Sequence, residues 1–370
     1  GGGVFTANNS TNQGNNTGLI INFPSAQNLY WIGGSGNWSD PNHWSNTSGG
    51  SAGVCVPTLY DNVFFDANSF SGFGQTVTIN ANAYCNSMSW TGSSFFPTLA
   101  GTGTLNIYGN MTLIVAMTLT ATGNLYFQSD STGRTINTAW KTLQNNFVYF
   151  DGNGSWTLAG NINMKTVYFY KGTFSTNNFS VTLTGFNAIV ANNRTVNLGT
   201  STVTCNGDWS ISDTNNFTLN AGTSALNVSG TTFQVGYETY NNVSLSNATT
   251  ANVYGSNTFN TFNITNAVTA NFQGGTTQTA TSIGLPPGTC SSYKNIKSTI
   301  AGTQATLSRA SGTTTVSFTQ IQDIAATGGA TFNANNSLDN GNNSGWNFVA
   351  PTPTNYYWVN NTGNWSDGTH

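Results

Sequence analysis

The feature that most constrains this fold is a recurring interruption. Turn-forming residues punctuate the middle of the chain at Asp130 to Gly133, Asp151 to Gly154, Lys171-Gly172, Asn192-Asn193 and Asp213 to Asn216. The series continues less cleanly at Gly236, Gly255 to Asn257 and Gly274-Gly275. The step is about 21 residues, the length of one coil of a parallel β-solenoid. Between turns, β-branched and aromatic residues alternate with polar ones, as in Thr76-Val77-Thr78-Ile79-Asn80, Val167-Tyr168-Phe169-Tyr170 and Phe217-Thr218-Leu219-Asn220. That alternation is the period of a half-buried strand, and strong helix formers are scarce. A string of immunoglobulin-like sandwiches would instead give modules of about 100 residues. The expected fold is all-β, a right-handed parallel β-helix (β-solenoid). Asn suits its coils because its amide stacks in ladders and tolerates left-handed turn conformations.

A second repeat is longer. Phe5 to His43 aligns with Phe332 to His370 without a gap, at a constant offset of 327, and 19 of the 39 positions are identical. Ala7-Asn8-Asn9-Ser10 matches Ala334-Asn335-Asn336-Ser337, Tyr30-Trp31 matches Tyr357-Trp358, and Gly36-Asn37-Trp38-Ser39-Asp40 matches Gly363-Asn364-Trp365-Ser366-Asp367. The chain therefore reads as one module of a tandem array. Residues 1–23 are expected to be the tail cap of a preceding module, 24–29 a linker, 30–71 an N-terminal cap region and 72–325 the coils. A C-terminal cap over 326–348, a proline-containing linker over 349–356 and the start of the next module at 357–370 complete the division. The lack of an initiating Met or a signal peptide fits a segment of a longer polypeptide.

Solenoid ends must be blunted, or their open edges polymerise. The two most distinctive segments stand where caps belong. Trp31, Gly36, Asn37, Trp38, Asp40, His43 and Trp44 precede the coils; Asn335, Asn336, Gly341, Asn342, Asn343 and Trp346 follow them. Trp plugs an apolar end, while Asn and Gly satisfy or accommodate its backbone.

Composition narrows the function. Only 5% of the chain is charged, with 8 Lys+Arg against 11 Asp+Glu, where soluble domains average about 25%. So few cations exclude a nucleic-acid partner. The longest apolar run, Leu113 to Met117, falls far short of the ~20 residues of a membrane span. Solubility must come from 56 Asn, 59 Thr and 42 Gly, the composition of a secreted, cell-surface protein.

The cap residues also carry a resemblance. Tyr30-Trp31-Ile32-Gly33-Gly34-Ser35-Gly36-Asn37-Trp38-Ser39-Asp40-Pro41-Asn42-His43-Trp44 resembles a head motif of giant secreted proteins of Bacteroidota, as does Asp61-Asn62-Val63-Phe64-Phe65-Asp66. The tail from Gly328 to Phe348 resembles the same group. The resemblance covers about 60 residues at the head and 20 at each tail. It implies export by the type IX system and a role as an adhesin or filament module, of the gliding-adhesin or grappling-hook kind.

Several constellations bear on chemistry. Polysaccharide-degrading β-helices set two or three carboxylates on adjacent coils. Asp130 and Asp151, with Lys171 one coil on and Arg194 and Asp213 beyond, are the candidates, and Glu238 is the only glutamate. Asp-Gly and Lys-Gly are also ordinary turn chemistry, so a solvated row with successive Cα atoms ~5 Å apart along the axis is expected, and no enzyme. Asp40 and His43 with Asp61 or Asp66 are the candidate ligands for a structural calcium ion. Their spacing matches no calcium loop, and the expectation is a structural His43 and no cofactor. Of four cysteines, Cys55 and Cys85 flank the first coil and are the candidate disulfide, with Cys205 and Cys290 buried and free. The tryptophans either fill caps and corners or form a sugar-binding face. Thr-X-Thr runs such as Thr76-Val77-Thr78 would suit ice only if stacked in register on one flat face.

The function expected is mechanical: an adhesive or structural module of an extracellular fibre. Its partners would be neighbouring modules, copies of itself packed laterally, and surface glycans. The alternative is a carbohydrate-binding or carbohydrate-degrading β-helix. Proline-bearing links at Pro24, Pro351 and Pro353 would stiffen the joints, each module advancing the rod by ~60–75 Å.

Overall fold

The computed structural model describes residues 3–8, 10, 14–22, 24–350 and 355–365. Parallel strands stack into a β-solenoid of about 13 turns, with one short 3-10 turn, Pro41–His43, among the described residues. The all-β expectation holds. Pro351, Pro353 and His370, on which the stiff joint and the repeated histidine rested, lie outside the described residues.

The register shows how the sequence builds a coil. In the longest sheet Ala83, Leu105, Leu125, Val148, Val167, Phe186, Trp209, Phe233, Val253 and Phe272 lie one above another. All are buried. Neighbours in this column are 19 to 24 residues apart in sequence, scattered about the expected 21. The inward residue never slips, because a slip of one would turn a whole strand's apolar side chains to solvent. Length differences are absorbed in the loops. The same logic fills a second, nine-stranded sheet, where Ile162, Val181, Val203, Leu226, Val243, Phe262 and Ile283 form the inward column. At ~1.5–3 kcal/mol for each buried aliphatic or aromatic side chain, these columns are the main favourable contribution to folding.

Asparagine links the coils. Asn62 donates to Asn28 at 3.0 Å and Asn86 to Asn62 at 2.9 Å. Asn220 donates to Asn197 at 2.7 Å and Asn271 to Asn252 at 2.8 Å. Each bond ties one coil to the next, so the side-chain amides run parallel to the backbone ladder.

Stacking reaches beyond residues 72–325. Asn28, Leu29 and Tyr30 pair in parallel with Asn62, Val63 and Phe64. At the far end Thr313–Ser317 carries Thr331–Asn335, which carries Trp346–Val349. The caps are thus extensions of the stack itself.

Two segments that read as turns lie within strands. Asp151 to Gly154 falls inside Phe147–Leu158, and Lys171-Gly172 inside Thr166–Ser175. The strands bend at irregularities on either side of Asp151. Glycine permits this close corner, since a Cβ at Gly152 would overlap the Ser129 carbonyl below it.

Candidate functional site

The head motif folds into an aromatic plug. Trp31, Trp38 and Trp44 are buried. Trp31 packs edge-on to Trp44 at 5.1 Å, and Phe65 beneath them stacks on Trp90 at 3.9 Å. Two of the three indoles are tied to the local backbone: Trp31 Nε1 donates to the Gly34 carbonyl at 2.7 Å and Trp44 Nε1 to the Trp38 carbonyl at 2.8 Å. His43 lies flat on Trp31 at 4.7 Å, with Nδ1 2.8 Å from the Ile32 carbonyl. Gly36 leaves room for the His43 ring, which a Cβ there would overlap. Asn37 lies in a short strand paired with Thr78. Asp40 caps the 3-10 turn by accepting from the Asn42 amide at 2.9 Å.

The tail cap is held by amides. Asn343 donates to the Ile321 carbonyl at 2.8 Å and accepts from the Ile324 amide at 2.9 Å; Asn342 donates to Asp323 at 2.6 Å. Asn336, Gly341 and Asn342 hold positive φ, which explains Asn and Gly there. The Asn335 carbonyl accepts from Ser337 at 2.8 Å, and Trp346 packs edge-on to Phe332 at 5.3 Å.

Where both copies are described, segments 327 residues apart share strand register in the tail and backbone angles at key turn positions. Phe5 pairs with Leu19 as Phe332 pairs with Trp346. The backbone angle φ is 99° at both Gly14 and Gly341, and 55° and 54° at Asn15 and Asn342. In the head, Gly33 and Gly34 become Asn360 and Asn361, yet all four keep positive φ. Trp358 Nε1 donates to the Asn361 carbonyl at 2.6 Å, the counterpart of the Trp31 bond to Gly34. What differs is cover. Phe332 is 1% exposed on the coil beneath it, whereas Phe5 is 71% exposed.

The candidate ligands and acids have separate partners. Among the described residues no three His, Cys, Asp or Glu side chains gather where they could share a metal ion. The calcium candidates Asp40, His43, Asp61 and Asp66 form no such group. Asp61 accepts from the amides of Gln27 at 3.0 Å and Thr58 at 2.8 Å, clipping the linker to the loop. Asp66 closes a turn by accepting from the Asn68 amide at 2.9 Å. The disulfide is corrected. Cys55 and Cys85 are both free, because Cys85 faces inward from its strand while Cys55 stands exposed in a loop. Cys205 is free and buried, its thiol pushed up to about 12 by burial. Cys290, expected to be buried, is free and exposed.

Asp151 and Lys171 are register partners on adjacent coils and form an ion pair at 3.4 Å. Asp130 joins the same side, accepting from Asn153 at 2.9 Å two residues past Asp151. Asp151 and Lys171 thus stack as expected, whereas Asp130 meets the next coil at Asn153 instead of Asp151. Arg194 departs from the expected row. It faces inward, 1% exposed, and donates to the carbonyls of Asn192, Asp213 and Asn215. The Asp213 carboxylate accepts instead from Asn215. Six tryptophans (Trp31, Trp38, Trp44, Trp90, Trp156 and Trp209) are buried to below 2% exposure, so they fill caps and core instead of forming a sugar-binding face.

Three surface features were not anticipated. Tyr126, Tyr149 and Tyr168 stack at 4.3 and 5.2 Å in an outward ladder on successive coils. The Tyr149 hydroxyl is pushed up to about 12, chiefly by burial and then by its tyrosine neighbours. An open groove of about 550 Å³, lined by Leu219, Tyr240, Asn241, Phe259 and Asn260, follows the axis. Beside Tyr240, half-buried Glu238 has its carboxyl pushed up to about 7 by desolvation, against a hydrogen bond from the Leu219 backbone. Finally, the outer face of the nine-stranded sheet bears only short uncharged residues. Aligning these strands at their true steps of 17 to 29 residues, instead of a fixed 21, would have revealed the columns.

Thr76, Thr98 and Thr118 stack in one column, but Thr78 meets Ala100 in the next. The Thr-X-Thr runs therefore do not form the regular double row an ice surface needs. No helix among the described residues is long and apolar enough to cross a membrane. Comparison with protein-family models, curated proteins and solved structures returns no match.

Proposed function

We propose that the chain is a structural module of a secreted tandem-repeat fibre, joined end to end with neighbouring modules and serving adhesion or filament formation. One observation carries the reading: the strand pair of the tail cap occurs twice in the same register, buried on its coil at Phe332 and bare at Phe5. A cap that exposes Phe5 and Ile20 fits the last coil of a preceding module, and covering them would contribute ~2 kcal/mol for each side chain. The extracellular setting and the type IX, Bacteroidota adhesin kind follow the resemblance of the head and tail motifs. Low charge and four free cysteines are compatible with a rod whose cohesion comes from stacked backbone bonds.

A chain of two consecutive modules tests this by small-angle scattering and electron microscopy. With about 13 turns at ~4.8 Å each, the second module should add roughly 60 Å of stiff length. A flexible pair of beads or a compact particle would refute it. The runner-up, a carbohydrate-binding β-helix, draws on the tyrosine ladder. There the rings stack on one another, so their edges and hydroxyls, not their faces, are offered to a sugar.

A further inference from the structure

The nine strands from Ile162–Asn163 to Ile324–Thr327 contain no Asp, Glu, Lys or Arg. Their outward positions are almost all Thr, Asn and Ser. One column runs Thr202, Ala225, Asn242, Thr261 and Ser282, and the next Thr182, Thr204, Asn227, Ser244 and Asn263. Charged residues such as Lys165, Asp208, Glu238 and Arg309 stand just outside these strands. The longest sheet is different, with Asp151, Lys171, Lys294 and Lys297 inside its strands.

We propose that this uncharged face is where copies of the chain pack side by side. The proposal rests on the fibre reading for its setting, but names a surface distinct from the end-to-end joint. Three physical points select a second copy as the occupant. Every Asn amide and Thr or Ser hydroxyl both donates and accepts, so the face is complementary to itself after a two-fold rotation. No ion has to be desolvated, and short side chains lose little rotamer freedom. The extent also suits a repeating contact. Nine strands at ~4.8 Å, each ~4 residues wide at ~3.3 Å, give ~500 Å² per copy and ~1,000 Å² per pair, the lower bound of a specific interface. A single pair is then weak, and an array of modules multiplies it.

The test is sedimentation and small-angle scattering of the 370-residue chain at concentrations up to about 1 mM. The expected result is a concentration-dependent species with about twice the cross-section and unchanged length. Thr204→Lys with Asn227→Lys, register partners on the face, should weaken it at least ~10-fold by like-charge repulsion. The matched pair Asn187→Lys with Ser210→Lys on the longest sheet should leave it unchanged, both variants keeping parental circular dichroism. A chain monomeric throughout, growth in length only, or equal effects of the two pairs would overturn the proposal. So would retention on insoluble cellulose or chitin that Thr204→Lys with Asn227→Lys abolishes in a monomeric chain, which would make the face a glycan site. None of these results alters the length of the two-module chain, so the fibre reading stands or falls separately.

Discussion

Replacing Gly36 by alanine isolates the role of the cap histidine. The new Cβ would overlap the His43 ring, so the ring must leave its place. Leaving breaks the 2.8 Å bond to the Ile32 carbonyl and the 4.7 Å stack on Trp31. At about 1 kcal/mol for the bond and about 1 kcal/mol for the stack, Gly36→Ala should cost about 2 kcal/mol. His43→Ala removes the same two contacts and should cost about the same. The double variant should cost about 2 kcal/mol again, not about 4, because the introduced methyl group then occupies vacated space; independent sites would add to within ~0.5 kcal/mol. Urea denaturation gives the global figure. Hydrogen exchange localises it, since the Ile32 amide bonded to the His43 carbonyl at 2.9 Å should exchange about 30-fold faster. Amides around Phe272, many coils away, should not change, because each coil contacts only its neighbours. Gly36→Ala within ~0.5 kcal/mol of the parent, or a double variant at the simple sum, would refute the reasoning.

Further expectations concern the titrating groups. The Glu238 carboxyl rises from 4.5 to about 7 on folding. Its neutral form therefore favours the folded state, a contribution complete below the unfolded value and lost as pH climbs through about 7. Discounted for partial exposure, that loss is about 1–2 kcal/mol. Glu238→Gln should raise the denaturation midpoint at pH 8 and leave it unchanged at pH 4; an equal pH response in parent and variant would count against this. Cys55 and Cys290 are exposed, while burial pushes the Cys85 and Cys205 thiols upward. Ellman's reagent should thus titrate two thiols at once and two more only in denaturant. Fewer than two fast thiols would restore the Cys55 disulfide.

The sequence was most legible where side chains alternate and where a motif recurs. The strand runs at Thr76, Val167 and Phe217 all lie in strands, because inward burial leaves a period of two whatever the loops do. The caps were legible because Trp, Asn and Gly perform jobs few other residues can. The corners were not. Asp151 to Gly154 has turn composition, yet the glycines serve close stacking inside a bent strand, a tertiary demand invisible locally. Arg194 misled for the opposite reason: a charged residue reads as solvated until three backbone carbonyls converge on it. The pairing of Cys55 with Cys85 assumed that closeness along the chain sets side-chain direction, and the inward alternation of the strand Ala83–Cys85 overrides that.

The variable step between coils bears on how such a chain can evolve. Because register is fixed by the inward column and slack is taken up outside it, one whole coil can be duplicated or deleted without disturbing either end. The gene thus carries a ruler graduated in coils: replication slippage over about 60 nucleotides, one coil's coding length, would lengthen or shorten the module by ~4.8 Å. Related modules should therefore differ in length by whole coils, while their first and last segments keep the same spacing.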